Sequence, residues 1–154
     1  MCGFAGILNL DGAPVSSCVL KSMTDAIEHR GPDGEGHWID DFIGLGHRRL
    51  SIIDLSNLGK QPMISSSGRF VMVYNGEVYN FRELRASLKK LGYSFRSSTD
   101  SEVVLASLEH WGISALDLFN GMFAFALWDR REKTLTLARD RYGIKPLYYS
   151  KQGS

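Results

Sequence analysis

Cys2, one residue from the start of the chain and followed by glycine, stands where a single residue can supply both a nucleophile and its base. A thiol attacks a carbonyl as its thiolate, and a free cysteine titrates at roughly 8.5. If Met1 is removed, Cys2 carries its own α-amine, which ordinarily titrates at about 8. That amine can take the thiol proton directly or through a water. Gly3 would let a substrate come close to the backbone. Taken alone, the same residue is also read simply as a cysteine near a terminus.

Three further segments carry groups with chemical use. In Gly46-His-Arg-Arg-Leu-Ser-Ile-Ile-Asp54 two arginines end an apolar run. An arginine there can grip a carboxylate in a two-pronged contact, or simply end a solvated strand. Tyr74-Asn-Gly-Glu77 contains Asn-Gly, a strong tight-turn signal. In such a turn, Asn75 and the Gly76 N–H can face a developing oxyanion, and Glu77 can accept from an amide nitrogen. Thr99-Asp-Ser-Glu102 has the pattern of a capping box, and Asp100 can also bind an ammonium group. Cys18 falls in an expected helix and reads as a small packing residue.

These groups need elements to hold them. Gly3 to Leu10 reads as a short strand ending at Asp11-Gly12. Leu20, Met23 and Ile27 give an amphipathic helix over Ser17 to Glu28. His29-Arg-Gly-Pro-Asp-Gly-Glu-Gly36 reads as a loop. Strands are expected at Ile43 to Arg48 and Arg69 to Tyr74. Phe81, Leu84, Leu88 and Leu91 mark a second helix closed by Gly92. Thr99 or Asp100 caps a third helix, with Val104, Leu105, Leu108 and Trp111 on its apolar face. Met122 to Trp128 and Thr134 to Arg139 form a hairpin, and Leu147 to Ser150 begins another strand. The whole reads as layered α/β with a largely antiparallel sheet.

Composition narrows the classes. The 154 residues suit one domain, and a net charge of +1 without basic runs argues against nucleic acid or an anionic membrane surface. The N-terminus lacks the pattern of a signal peptide, and two cysteines do not make a disulfide framework. The expected setting is the cytoplasm, and no metal site is expected.

Taken in order, eight blocks resemble one family. They are Met1–Ile7, His29–Gly36, His47–Asp54, Lys60–Met63, Tyr74–Asn80, Ser98–Glu102, Gly121–Asp129 and Arg139–Tyr149. Together they are similar to class II glutamine amidotransferase domains, most of all to the glutaminase domain of glutamine-hydrolysing asparagine synthetases. The resemblance implies an α+β fold, the four-layer αββα N-terminal nucleophile hydrolase sandwich of antiparallel sheets, here short of its C-terminal end. It implies a glutaminase domain over 2–154, with the synthetase domain absent from the chain.

The same resemblance assigns roles. Cys2 is the nucleophile, and Asn75 and Gly76 are the oxyanion hole. Arg49, not Arg48, holds the glutamine α-carboxylate. Glu77 lies near the side-chain amide, Asp100 binds the α-amine, and Leu50 and Ile53 line the pocket. Glutamine would be hydrolysed to glutamate and ammonia through a γ-glutamyl thioester on Cys2. No cofactor is implied for that half, with ATP and magnesium expected only on the synthetase domain. Glutamine and an ammonia-accepting synthetase domain or subunit are the implied partners, and a homodimer is left open. Two alternatives stand beside this reading: a non-catalytic glutamine-binding or regulatory module, and a domain serving another acceptor, such as a sugar or a peptide carboxylate.

Overall fold

Antiparallel pairing builds both sheets of the computed structural model, which describes residues 1–51 and 57–152. In the first sheet, β1 (Gly3–Leu8) and β2 (Gly34–Asp40) flank β3 (Ile43–Arg49). The second runs β4 (Met63–Ile64), β5 (Phe70–Val78), β6 (Gly121–Asp129), β7 (Thr134–Arg139). Three α-helices are described: α1 (Ser17–Asp25), α2 (Phe81–Lys90) and α3 (Asp100–Trp111).

Side chains alternate between the faces of a strand, and that alternation sets the layers. Ile43 and Leu45 of β3 meet Val71 and Val73 of β5 and Ala126 and Trp128 of β6 in one buried cluster between the sheets. The opposite face of the second sheet presents Met72, Tyr74, Phe123 and Phe125 to Leu84 and Leu88 of α2 and Val104, Leu105 and Leu108 of α3. On the outer face of the first sheet lies α1, whose Leu20 is fully buried. Burying one such leucine contributes roughly 1.5–3 kcal/mol. The order helix, sheet, sheet, helices is the αββα sandwich.

Local chemistry explains where several elements stop. Ser16 caps α1 by accepting from Val19 N. The helix ends at Asp25 and gives way to a 3-10 turn at Glu28–Arg30, so it is shorter than the Ser17 to Glu28 expected. Its buried face is Leu20 and Thr24, while Met23 is exposed. Gly92 closes α2 at φ +94, as its sequence position suggests. Thr99 caps α3 by accepting from Glu102 N at 3.4 Å. Glu102 reaches back to the N–H groups of Arg96 and Ser97, a variant of the expected box.

Three expectations need correction. Gly34 to Gly36 is not loop but the start of β2, because pairing with β3 overrides its turn-rich composition. Asn75-Gly76 is not a tight turn. Both lie inside β5, opposite Ala124 and Phe123 of β6. Glycine is required there for a different reason: a Cβ at Gly76 would lie 2.5 Å from the Met122 carbonyl oxygen and 2.7 Å from Phe123 Cα. Leu147 to Ser150 forms no strand, and Tyr148 and Tyr149 stand exposed.

His47 is fully buried between the sheets, with Nε2 3.1 Å from the Tyr74 carbonyl. Burial drives its pKa down to about 4, the bond to Tyr74 opposing this and Arg49 adding to it. The folded state therefore binds the proton less well than the unfolded chain, whose histidine titrates at about 6.5. The resulting stability is complete above that value and is lost as pH falls from about 6.5 to about 4. The thermal midpoint of the parent should drop as pH falls through this window, and His47→Gln should flatten the slope. An unchanged slope in the variant would show that other groups govern it.

Candidate active site

The period of two along β3 separates the adjacent arginines. Arg48 is buried on the face toward α1, where Nε donates to the Thr24 carbonyl at 3.2 Å. Its guanidinium pairs with Asp25 and, at 3.1 Å, with Glu35. Arg49 shares parity with Ile43, Leu45 and His47, which face the second sheet. Its guanidinium passes beside Gly59, where a Cβ would lie 2.5 Å from Nη2 and 3.0 Å from Thr99 Cγ2. Any side chain at 59 would thus displace Arg49 from the capped N-terminus of α3.

Cys2 lies at the head of β1, beside the outgoing end of β3. The Leu50 N–H donates to its Sγ at 3.4 Å, and the thiol lies 3.6 Å from the Leu50 carbonyl. Cys2 is half-buried, and its sulfur is held by backbone. Its carbonyl accepts from Arg30 Nε at 3.2 Å. The space left by Gly3 is filled by Ile27 and Arg30, 3.0–3.3 Å from where a Cβ would stand. The close approach at Gly3 is therefore made by the chain itself.

The segment after Arg30 straps the same end of β3. Pro32 bridges to Arg49, Asp33 N donates to the Arg49 carbonyl at 3.0 Å, and the Asp33 carboxylate accepts from Ser51 N at 2.8 Å. Sequence reading took this glycine- and proline-rich stretch as loop and assigned Arg30 no task. No local pattern signals one, since its partner is 28 residues away.

On the facing sheet, Gln61 brackets Tyr74, Oε1 accepting from Tyr74 N at 2.6 Å and Nε2 donating to its carbonyl at 3.1 Å. With His47 on the same carbonyl, the peptide entering Asn75 is fixed from two sides. Asn75 is buried and has the parity of Val71 and Val73, toward the first sheet. Glu77 shares that parity and is half-buried.

Asp100 is buried at the start of α3, its Oδ2 accepting from Tyr74 Oη at 2.8 Å and Val78 N at 3.0 Å. Burial raises its pKa, while the bonds from Val78, Tyr74 and Ser101 pull it back. Burial also pushes the Tyr74 phenol well up, reinforced by Asp100, Glu77 and Cys2. Cys2 meets Leu50, Arg49 passes Gly59 beside Thr99, and Asp100 bonds Tyr74 and Val78, which bracket Asn75, Gly76 and Glu77 on β5, whereas Ile53 lies outside the described residues. Among the described residues, no group of three or more histidine, cysteine or carboxylate side chains could hold a metal ion. No described helix is long and apolar enough to cross a membrane.

Two facing antiparallel sheets between helical layers, with a cysteine at the head of the first strand, define the N-terminal nucleophile hydrolase type. The same fold occurs in glutamine phosphoribosylpyrophosphate amidotransferase from B. subtilis, solved in complex with ADP and GMP. The match has a TM-score of 0.77 over 95% of this chain and 38% of that one, at 19% identity, a likeness of fold alone. The glutamine amidotransferase domain family matches residues 1–154, and the chain belongs to that family.

Relatives are more specific. Asparagine synthetase [glutamine-hydrolyzing] 2 of Bacillus subtilis is 46% identical over 153 residues, covering 97% of this chain and 20% of that protein. Asparagine synthetase [glutamine-hydrolyzing] 1 of the same organism is 43% identical, with 97% and 24% covered. Amidase chry2 of Gibberella zeae is 44% identical over 146 residues, with 94% and 22% covered. The chain thus spans a fifth to a quarter of the length of these relatives.

Proposed function

We propose that the protein hydrolyses glutamine to glutamate and ammonia, with Cys2 as nucleophile once Met1 has been removed. The observation that carries this is Cys2 Sγ held by the Leu50 N–H at 3.4 Å, where β1 and β3 pair through Gly3 and Arg48. In the proposed cycle the Cys2 amine takes the thiol proton and the thiolate attacks the glutamine δ-carbonyl. The oxyanion rests on Asn75 and the Gly76 N–H. Collapse breaks the C–N bond, and the α-ammonium returns its proton to the leaving nitrogen, so ammonia departs. Water, activated by the same amine, then cleaves the γ-glutamyl thioester.

Substrate recognition follows the charges. Arg49 takes the α-carboxylate, Asp100 the α-ammonium, Glu77 the side-chain amide, and Leu50 and Ile53 line the pocket. Ammonia passes to a synthetase-type domain making asparagine, in keeping with the relatives' names. The likeness to an amidase favours a second reading, in which another acceptor takes the ammonia.

The test is glutamate release from glutamine, read together with intact mass. Protein shown to lack Met1 should release glutamate and gain one adduct, at Cys2, from a glutamine-like electrophile. Processed protein that does neither would sink the proposal. The arginines give a sharper check. Arg49→Ala should lower kcat/KM by about 10²-fold, the scale of a lost charge-assisted contact of roughly 3 kcal/mol. Arg48→Ala should instead lower the thermal midpoint and leave kcat/KM within about threefold, since Arg48 is tied to Thr24, Asp25 and Glu35. Equal losses in kcat/KM would show that the wrong arginine was chosen.

A further inference from the structure

Lys145 is 4% exposed, yet its Nζ has a single hydrogen-bond partner among the described residues, the Met1 Sδ at 2.8 Å. A thioether is a weak acceptor. No carboxylate among the described residues forms an ion pair with this ammonium.

The placement of Lys145 is built rather than incidental. The Asp140 carboxylate accepts from four backbone N–H groups: Phe123 at 3.1 Å, Tyr142 at 3.2 Å, Ile144 at 3.0 Å and Lys145 at 3.0 Å. Burial pushes the Asp140 pKa up, but these bonds outweigh it and hold it below the ordinary value. Asp140 N also donates to the Phe123 carbonyl at 2.7 Å. Phe123 stands opposite Gly76 in the β5–β6 register. The turn carrying Lys145 is therefore fastened to the strand pair that holds Asn75 and Gly76.

We infer that Lys145 is a positioning residue that donates to the Cys2 α-amine after Met1 is removed, favouring the neutral amine that acts as base. This rests on the N-terminal nucleophile reading above. Losing Met1 takes away the one acceptor that this buried ammonium has among the described residues, and an unmade bond there is costly. The newly freed nitrogen lies one residue from the lost methionine. Its lone pair can accept from Lys145 only while it is unprotonated. A nearby like charge also disfavours a second ammonium.

The other charged groups around this end act in both directions. Arg30, on the Cys2 carbonyl, and Arg49, at the end of β3, add positive charge. Arg48 is offset by Asp25 and Glu35. From β5 and α3, Glu77 and Asp100 oppose, with Asp100 shared between Tyr74 and Val78. Lys145 is the cation in hydrogen-bond contact with the residue that is removed.

The experiment uses protein confirmed by mass to lack Met1. It compares the parent, Lys145→Met and Lys145→Arg by the pH profile of kcat/KM for glutamate release and of Cys2 alkylation by iodoacetamide. In Lys145→Met the acid-side midpoint should rise by about one pH unit. Activity at the acid end should fall about tenfold and recover at high pH. Lys145→Arg should keep the parent midpoint. A Lys145→Met profile with the parent midpoint overturns the inference while leaving the glutaminase reading intact. If the methionine variant fails to fold, Lys145→Gln answers the same question. Direct titration of the α-amine in the parent by NMR should give a midpoint below the ordinary value, and one at or above about 8 overturns the inference. Processed parent that releases no glutamate sinks the broader reading, and the amine titration still reports on Lys145.

Discussion

Cys2→Ala should reduce glutamate release from glutamine to background, a loss on the order of 10⁴-fold or more in kcat. The expected size follows from the proposed division of labour. The thiol forms the bond that splits a hard amide hydrolysis into two easier acyl transfers, and its sulfur is held by the Leu50 N–H. Cys18, the remaining cysteine, is not the packing residue expected from sequence but is exposed on α1, on the outer side of the first sheet. The variant should still bind glutamine, because Arg49 and Asp100 are untouched. A titration by calorimetry would then show binding without turnover. Residual glutamate release within tenfold of the parent would remove Cys2 from the mechanism and favour a non-catalytic module.

Asn75→Ala is expected to lower kcat by roughly 10²–10³-fold, about 3 kcal/mol of barrier, with KM changed little. An oxyanion donor acts on charge that exists only beyond the ground state, so its loss is felt in turnover rather than in binding. The effect should be clean because the backbone is held independently of the side chain. Gln61 and His47 fix the preceding peptide, and β6 pairs along the whole of β5. The thermal midpoint should therefore stay close to the parent's while kcat falls. A loss confined to KM would mean that Asn75 contacts ground-state glutamine instead.

How much of this could be read beforehand depended on how local each signal was. The second and third helices were legible because Gly92 and Thr99 act within one turn of the residues they cap. The β6–β7 hairpin was legible from two alternating runs around a charged turn. Asn75-Gly76 misled because a dipeptide preference for turns yields to nine residues of pairing with β6, and because the glycine answers a steric demand from Met122 and Phe123. Gly34 to Gly36 misled in the same way.

The choice of Arg49 over Arg48 came from family resemblance. Strand parity separates the two, Arg48 facing α1 and Arg49 the second sheet. Arg30, Gln61 and Lys145 went unassigned because their partners lie far along the chain or, for Lys145, at its opposite end.

The strap after α1 has a broader implication. Arg30 grips the residue proposed to attack, while Pro32 and Asp33 latch the residue proposed to anchor the substrate's far end. Reagent and clamp thus share one short mount. A shift of that mount would carry both along together, preserving their mutual spacing while changing their alignment with the opposite sheet. Variation in α1 and its outgoing turn would then tune the angle of approach without breaking the gap that the substrate must fit.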